Sequence, residues 1–504
     1  MQAGKSKVWI VLKNALASAL RGGIAALIAI PLTRILTKSL PTSTFGAWGL
    51  ILQLGAYVGV LDLGLQTSVG RFVAHYNELR QPEQRDRIIS TALAALTALA
   101  AVAVAGLLIL AWELPNIFKE MPANLHGEAR TALLVVGTSL ALSLPFGVFN
   151  GIFAGLQRNE IPTVIVVTGR VIAAVLMVLA VKGGGGLIWM AVAAATANVL
   201  TALAQFWACR RVAPDIKLAR GLASRTAGRE LFDYCFSLSI WSVSMLLVSG
   251  LSTTIVGVVD FKSVAFFTVA VSVTNALVGL QNSAFSALMP VAAALGARQD
   301  ARRLGDMLIA STRYGMLMLL LSGLPIIFGA FPLLKLWVGS NYALHAQALL
   351  QVLLAAQIVR LSATPYAVLL IGTGQQRLVI WTPLIEGATN LISSLLLGSR
   401  FGAIGVAWGT MVGALVGLTC HFAYNMRRTT SISFLFRHYF WTGILRPLAA
   451  VLPIIPMTAA LHLYSSAAGA ATAIALGSGI VLVVSLWRLA VTGAEREKLL
   501  RFFL

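Results

Sequence analysis

Runs of about 20 apolar residues, separated by short polar segments, dominate the chain. An α-helix rises about 1.5 Å per residue, so a run of this length crosses the roughly 30 Å hydrocarbon layer of a bilayer. The runs predict an all-α integral membrane protein with about 14 transmembrane helices. They lie at 13–36, 44–70, 88–112, 131–156, 161–181, 187–208, 234–259, 263–290, 307–334, 346–371, 378–398, 402–425, 442–463 and 468–489.

The composition excludes an ordinary soluble domain. Hydrophobic residues make up 58% of the 504 residues and charged residues only 11%. The 38 Lys and Arg exceed the 17 Asp and Glu, which in a soluble protein would suggest a nucleic-acid partner. Here the cations are spread thinly through the segments between apolar runs, so we expect no nucleic-acid partner.

The distribution of basic residues predicts the orientation of the chain. Segments that alternate along the chain carry about three times as many Lys and Arg on one side as on the other, and the richer side is cytoplasmic in membrane proteins. This places both termini in the cytoplasm.

The loops leave little room for chemistry outside the helices. The longest external loop, 113–130, and the longest internal loop, 209–233, are too short to fold as domains. The six histidines lack the neighbours of a metal site, and the three cysteines are scattered. We therefore predict no catalytic residue, no metal and no cofactor.

Similar stretches of sequence indicate an internal repeat. "FGAWGLILQLGAYVGVLDLGLQ" begins at Phe45 and "FKSVAFFTVAVSVTNALVGLQ" at Phe261. Other matches recur at nearly this separation of about 216 residues, which holds six predicted helices, so both copies have the same orientation, as in transporters built from parallel repeats. The predicted domains are an N-terminal six-helix lobe (1–208), a cytoplasmic linker (209–233), a C-terminal six-helix lobe (234–425) and a helix pair with a tail (426–504). We expect a site between the lobes.

Several charged side chains fall inside the predicted membrane spans. An ionised group at mid-bilayer costs about 2.5 kcal/mol or more, so such residues are functional candidates. The set consists of Arg21, Asp62, Arg170, Arg360 and Glu386, with Arg71 at a cytoplasmic mouth.

Helix geometry predicts which of these charges meet. Arg21 and Asp62 fall at similar depth and are expected to pair, and the hairpin near 374 places Arg360 opposite Glu386. Residues on a helix advance about 100° each, so Asp62 and Arg71 are expected on opposite faces of one straight helix. An alternative stays open, in which each buried ion pair only locks two helices together.

The sign of these charges suggests the type of ligand. By the repeat offset Glu386 takes the place of Arg170, and this asymmetry favours a function over a purely architectural role. The net positive interior suits an anion such as a phosphate, which Arg binds through paired hydrogen bonds. The predicted substrate-binding residues are Arg21, Arg71, Arg170 and Arg360, and the predicted coupling-ion or gating residues are Asp62 and Glu386.

Neutral polar side chains within the spans have two alternative uses. They either line a polar cavity or form hydrogen bonds between helices, and the second use is the more frequent one. The set is Asn14, Gln66, Asn198, Asn275, Asn282 and Asn390.

The N-terminal region carries the most specific pattern. "TRILTKSLPTSTFGAWGL" leads into "LDLGLQTSVGRFVA". Together the two stretches consist of a basic residue, a proline or glycine loop, "FG", and then "LDLGL" before an arginine. This pattern resembles the start of the polysaccharide transporter family, the O-antigen (Wzx-type) flippases of the multidrug/oligosaccharidyl-lipid/polysaccharide (MOP) exporter superfamily. The rest of the chain is similar to this family in span number, repeat and loop pattern.

The resemblance implies a MATE-like fold of two six-helix lobes and a function in surface polysaccharide assembly. Such proteins translocate undecaprenyl-diphosphate-linked oligosaccharide across the bacterial inner membrane by alternating access, with coupling to a proton or sodium gradient proposed. The implied partners are the lipid-linked oligosaccharide, membrane lipids, a polysaccharide polymerase and a chain-length regulator.

Three alternative functions stay open. A lipid II flippase differs only in substrate, whereas a multidrug exporter of the same superfamily is expected to favour acidic residues in its cavity. A polytopic enzyme that acts on lipid-linked sugars would need a sizeable external loop with catalytic groups. The only acidic cluster outside consists of Glu113, Glu120 and Glu128.

Overall fold

The structure, a computed structural model, describes residues 27–285, 288–375, 379–463, 468–491, 493 and 495–496. These ranges are mainly helical and contain no β-strand, which confirms the all-α membrane class. The helices are α1 (27–39), α2 (Thr42–Ala56), α3 (Leu65–Glu78), α4 (Pro82–Ile117), α5 (Ala123–Ser143), α6 (Gly147–Gly155), α7 (Glu160–Lys182), α8 (Leu187–Val212), α9 (Arg225–Met245), α10 (Ser252–Val259), α11 (Val264–Phe285), α12 (Leu288–Ala297), α13 (Ala301–Phe328), α14 (Ala330–Val338), α15 (Ser340–Leu361), α16 (Thr364–Gly372), α17 (Trp381–Cys420), α18 (Met426–Arg428), α19 (Phe436–Tyr439), α20 (Arg446–Val451), α21 (Ile454–Leu463) and α22 (Ala468–Ser485).

The described part of the chain contains 11 helices that are long and apolar enough to cross a membrane, or up to 12 if the bent pair Ser242–Gly250 and Ser252–Val259 is one span. The count of 14 therefore stays a prediction. One candidate, Trp381–Arg428, covers two predicted spans, because the helix continues through a kink at Gly402, where φ is 63°. Most of the first predicted span lies outside the described residues.

The order of the helices repeats along the chain. The interrupted pair α2 and α3 precedes the long helix α4, and α11 and α12 precede α13 in the same way. The pair α5 and α6 precedes α7, as α15 and α16 precede α17. This recurrence agrees with the repeat seen in the sequence, whereas the exact domain boundaries stay a prediction.

The described helices group into two compact units. Unit 1 comprises Met1–Val269 and Ser394–Val406, and unit 2 comprises Ala270–Ser393 and Ala407–Leu504. The core of unit 1 joins α3, α4 and α6 to the segment between α8 and α9 through buried side chains such as Val69, Ile89 and Phe153. In unit 2, α13 packs against α15, α16 and α20.

Helices α3 and α6 pack closely because α6 carries three glycines along one face. Cβ atoms added at Gly151 and Gly155 would lie 2.5 and 2.6 Å from the backbone oxygens of Gln66 and Gly70. Small residues at this spacing let membrane helices approach backbone to backbone. The glycines therefore fix the position of α3 after the break that precedes it.

The segment that carries Asp62 and Arg71 is not a straight helix. The prediction that these residues lie on opposite faces of one straight helix is therefore wrong. A 3₁₀ turn spans Tyr57–Asp62, and Leu63 and Gly64 adopt φ values of 49° and 80° before α3 begins. Glycine tolerates this left-handed conformation, whereas a leucine needs support from its surroundings. Asp62 and Arg71 lie on separate helical segments, and their relative direction does not follow from a helical wheel.

Candidate functional site

The charged pair predicted for the C-terminal half is present in unit 2. Arg360, near the end of α15, donates from Nε to Glu386 Oε1 of α17 at 2.5 Å. The two side chains are only 14% and 9% exposed. A buried pair in contact keeps both ionised groups stable inside the protein, whereas either group alone would be costly there.

Neighbouring residues hold this ion pair in place. Arg360 Nη1 donates to Gln357 Oε1 at 3.3 Å, one turn earlier on α15. The carboxylate lies against the backbone of Gly417, where an added Cβ would be 2.5 Å from Glu386 Oε2. The glycine at 417 therefore makes room for the carboxylate between two segments of unit 2.

Asp62 lies at the helix break in unit 1. Its Oδ1 accepts a hydrogen bond from the backbone N–H of Gln66, in the first turn of α3, at 3.3 Å. The carbonyl of Leu63, within the break, accepts from Ser239 Oγ at 3.3 Å. The aspartate thus satisfies one of the free N–H groups at the start of α3, where a negative charge is favourable. Its predicted partner, Arg21, lies outside the described residues.

Arg71 extends from α3 over aromatic rings. Its guanidinium carbon is 4.4 Å from the ring centre of Tyr234 and 5.6 Å from that of Phe72. The residue remains exposed. A guanidinium stacked on one face keeps its N–H donors available at its edges, so Arg71 remains able to bind an anion.

Arg170 lies near the middle of α7 and is exposed. Among the described residues its side chain has no hydrogen bond, ion pair or ring contact. Helix α7 is otherwise an apolar candidate span with a mean hydropathy of 2.7. Of the predicted cations that the structure describes, Arg170 is the one that no described protein group neutralises or stacks against.

A buried arginine that the sequence analysis did not single out contacts the segment between α8 and α9. Arg85 is 5% exposed and donates to Asp86 Oδ1 at 2.9 Å and to Asp215 Oδ2 at 2.7 Å. Asp86 Oδ2 accepts from the backbone N–H of Lys217 at 3.1 Å. The sequence does not show this network, because Arg85 and Asp215 are 130 residues apart.

A polar cavity of about 220 Å³ lies inside unit 1. Two residues named as candidates from the sequence, Gln66 and Asn198, line it. The sequence analysis did not single out Ser143, Asn150, Thr201 or Gln205, which complete its polar lining. Asn390, in contrast, is 2% exposed and packs against Gly413 in unit 2.

These features define a multi-pass membrane protein with buried charged groups and a polar cavity. A sequence model of the family described as "Polysaccharide biosynthesis protein" matches residues 11–295, which is more than half of the chain. The chain belongs to this family, and the family resemblance seen in its N-terminal pattern is confirmed.

Two solved structures share its fold. The structure is similar to the lipid II flippase MurJ in an inward closed conformation, with a TM-score of 0.71 and 13% identity over 95% of this chain and 97% of that chain. It is also similar to an inward-facing multidrug resistance MATE family transporter of the MOP superfamily, with a TM-score of 0.66 and 15% identity over 83% and 97% of the two chains. The predicted MATE-like fold is therefore confirmed.

One curated relative matches a shorter region. A protein of Shigella flexneri described as "Putative O-antigen transporter" is 25% identical over 150 residues, which is 30% of this chain. The chain spans only 34% of the length of that relative.

Proposed function

We propose that the chain is a flippase that translocates undecaprenyl-diphosphate-linked oligosaccharide by alternating access, for the assembly of a surface polysaccharide. Membership of the polysaccharide biosynthesis family and a fold shared with MOP transporters support this function. The similarity to an O-antigen transporter supports the same substrate class. On this proposal the protein is a transporter and not an enzyme.

The exposed, unpaired guanidinium of Arg170 is the observation that carries the proposal. A cation in the middle of an apolar helix is costly unless an anion meets it. Arginine binds phosphate oxygens through two parallel hydrogen bonds, and no described protein group occupies those donors of Arg170. The diphosphate of a lipid-linked sugar has the charge and the geometry to do so.

The other candidates have distinct roles in this proposal. Arg71 attracts the headgroup at its stacked, exposed position, and Arg21 adds a further cation. Arg360 releases Glu386 only when another anion replaces the carboxylate, and the freed carboxylate then binds a proton or a sodium ion. The bound ion would shift the equilibrium between conformations through its different affinity for each of them. Asp62 is the second coupling or gating carboxylate.

We propose that the protein lies in the bacterial cytoplasmic (inner) membrane, as the family resemblance implies, with both termini in the cytoplasm, as the distribution of basic residues indicates. Its partners would be the lipid-linked oligosaccharide, membrane lipids, a polysaccharide polymerase and a chain-length regulator.

The proposal is tested in bacteria that depend on this protein for surface polysaccharide. Arg170→Ala should lower the polysaccharide yield at least about tenfold, and Arg170→Lys should retain part of the activity. Lys182→Ala, at the exposed end of the same helix, is the matched control. Normal yield from Arg170→Ala at normal expression would contradict the role of Arg170.

A further inference from the structure

Every described residue that lines the polar cavity of unit 1 is uncharged. Its polar side chains come from three parts of the unit: Gln66 from α3, Ser143 and Asn150 from α5 and α6, and Asn198, Thr201 and Gln205 from α8. They are amides and hydroxyls, which offer both donors and acceptors. A phosphate would need a cation or a set of donors, and the described lining residues include no cation.

Two of these polar groups lack a protein partner. Gln205 is only 5% exposed, yet its amide forms no hydrogen bond within the described residues. Asn150 Oδ1 is buried and is also without a partner there. Buried polar groups in proteins are almost always hydrogen-bonded to protein or to ordered water, so the amide of Gln205 is available to water or to a ligand that both donates and accepts.

The remaining groups are held in position by the helices themselves. Asn198 Nδ2 donates to Ser139 Oγ at 3.0 Å, and Thr201 Oγ1 donates to the carbonyl of Ala197 at 2.7 Å. Gly147 leaves space for Gln66, since a Cβ there would lie 2.6 Å from Gln66 Nε2. The cavity is therefore preorganised, and little side-chain freedom is lost when it is filled.

The volume limits the size of the ligand. About 220 Å³ corresponds to roughly seven water molecules at about 30 Å³ each. It is smaller than the roughly 300–1,000 Å³ of drug-sized sites. Gln66, Asn150, Asn198 and Thr201 are half-buried and Gln205 is buried. The cavity is open to its surroundings on one side.

We propose that this cavity binds one uncharged sugar ring. Each ring hydroxyl is both a donor and an acceptor, which matches the amide of Gln205 on the cavity lining. The inference rests on the proposed function and deepens it. The cavity binds a neutral sugar of the lipid-linked oligosaccharide, while Arg170 binds the diphosphate of the same substrate. Gln66 connects the cavity to the helix break, since its N–H donates to Asp62.

The experiment uses the full-length protein in lipid nanodiscs and saturation-transfer NMR. The probes are free D-glucose, D-galactose, L-rhamnose and N-acetyl-D-glucosamine, with inorganic pyrophosphate measured separately. At least one sugar should bind saturably, and Gln205→Leu should weaken its binding about tenfold. Thr201→Val, which keeps the side-chain volume, should weaken it about threefold. Gln84→Leu, an exposed glutamine outside the cavity, is the matched control and should not change it.

Two results would overturn the inference. One is no saturable binding of any of the four sugars, and the other is equal binding by the wild type and by a correctly folded Gln205→Leu or Thr201→Val. Pyrophosphate binding separates this inference from the proposed function. If a sugar binds but no Arg170-dependent binding of pyrophosphate is found, only the proposed function is contradicted. If pyrophosphate binding depends on Arg170 but no sugar binds, only the sugar site is contradicted.

Discussion

Arg360 and Glu386 form a buried ion pair, with Nε of Arg360 2.5 Å from Oε1 of Glu386. Removing one partner leaves the other charge buried and unpaired, which typically costs about 3–5 kcal/mol. Arg360→Gln and Glu386→Gln should each lower the midpoint of thermal unfolding. The double variant should recover much of the stability.

A measurement of transport distinguishes an Arg360–Glu386 pair that acts in transport from one that only joins two helices. If Arg360 and Glu386 exchange partners during transport, the double variant should remain inactive although it is stable. Polysaccharide yield and thermal unfolding are measured on the same set of variants. A stable double variant with normal yield would show that the pair only joins two helices.

The buried network around Arg85 should anchor the segment between α8 and α9. Arg85→Leu leaves Asp86, which is 5% exposed, without its charged partner, so the segment around Asp215 should detach. Limited proteolysis in this segment should become faster by several-fold. Arg87→Leu, at an exposed position two residues later, is the control, and equal cleavage of both variants would contradict the anchoring role.

The bend before α10 frees a backbone carbonyl that two side chains satisfy. Gln53 Nε2 and Tyr57 Oη donate to the carbonyl of Gly250 at 2.7 and 2.9 Å. Because either donor suffices, Tyr57→Phe or Gln53→Leu alone should have a small effect. The double variant should increase the rate of backbone hydrogen exchange near Ser252 by more than the sum of the increases in the two single variants. Additive effects would indicate that the two donors act independently.

The close contact of α3 and α6 predicts that substitution of its glycines is not tolerated. Gly151→Ala places a Cβ 2.5 Å from the carbonyl oxygen of Gln66, so the helices must separate and thermal stability should fall. Gly106→Ala, in α4, meets no atom within 4 Å and should be neutral or slightly stabilising. Equal stability of the two variants would contradict this packing.

The apolar runs predicted the helical class because a lipid environment requires every span to satisfy its own backbone. The same runs did not show the break at Leu63 and Gly64, because a straight helix and an interrupted one can have the same apolar sequence pattern. The pairing of Arg360 with Glu386 followed from a hairpin, which is a local feature. Gln205 and Arg85 escaped notice because their environment is formed by helices that are distant in sequence.

The central claim is tested most directly by reconstitution. The purified protein is placed in liposomes that contain fluorescent undecaprenyl-diphosphate-linked oligosaccharide, and the loss of label from the inner leaflet is followed with an impermeant quencher. Lipid II and a cationic drug are assayed in parallel, with Arg170→Ala as the inactive form. We expect translocation of the oligosaccharide by the wild type only. Transport of lipid II or the drug in its place, or equal rates for wild type and Arg170→Ala, would contradict the account.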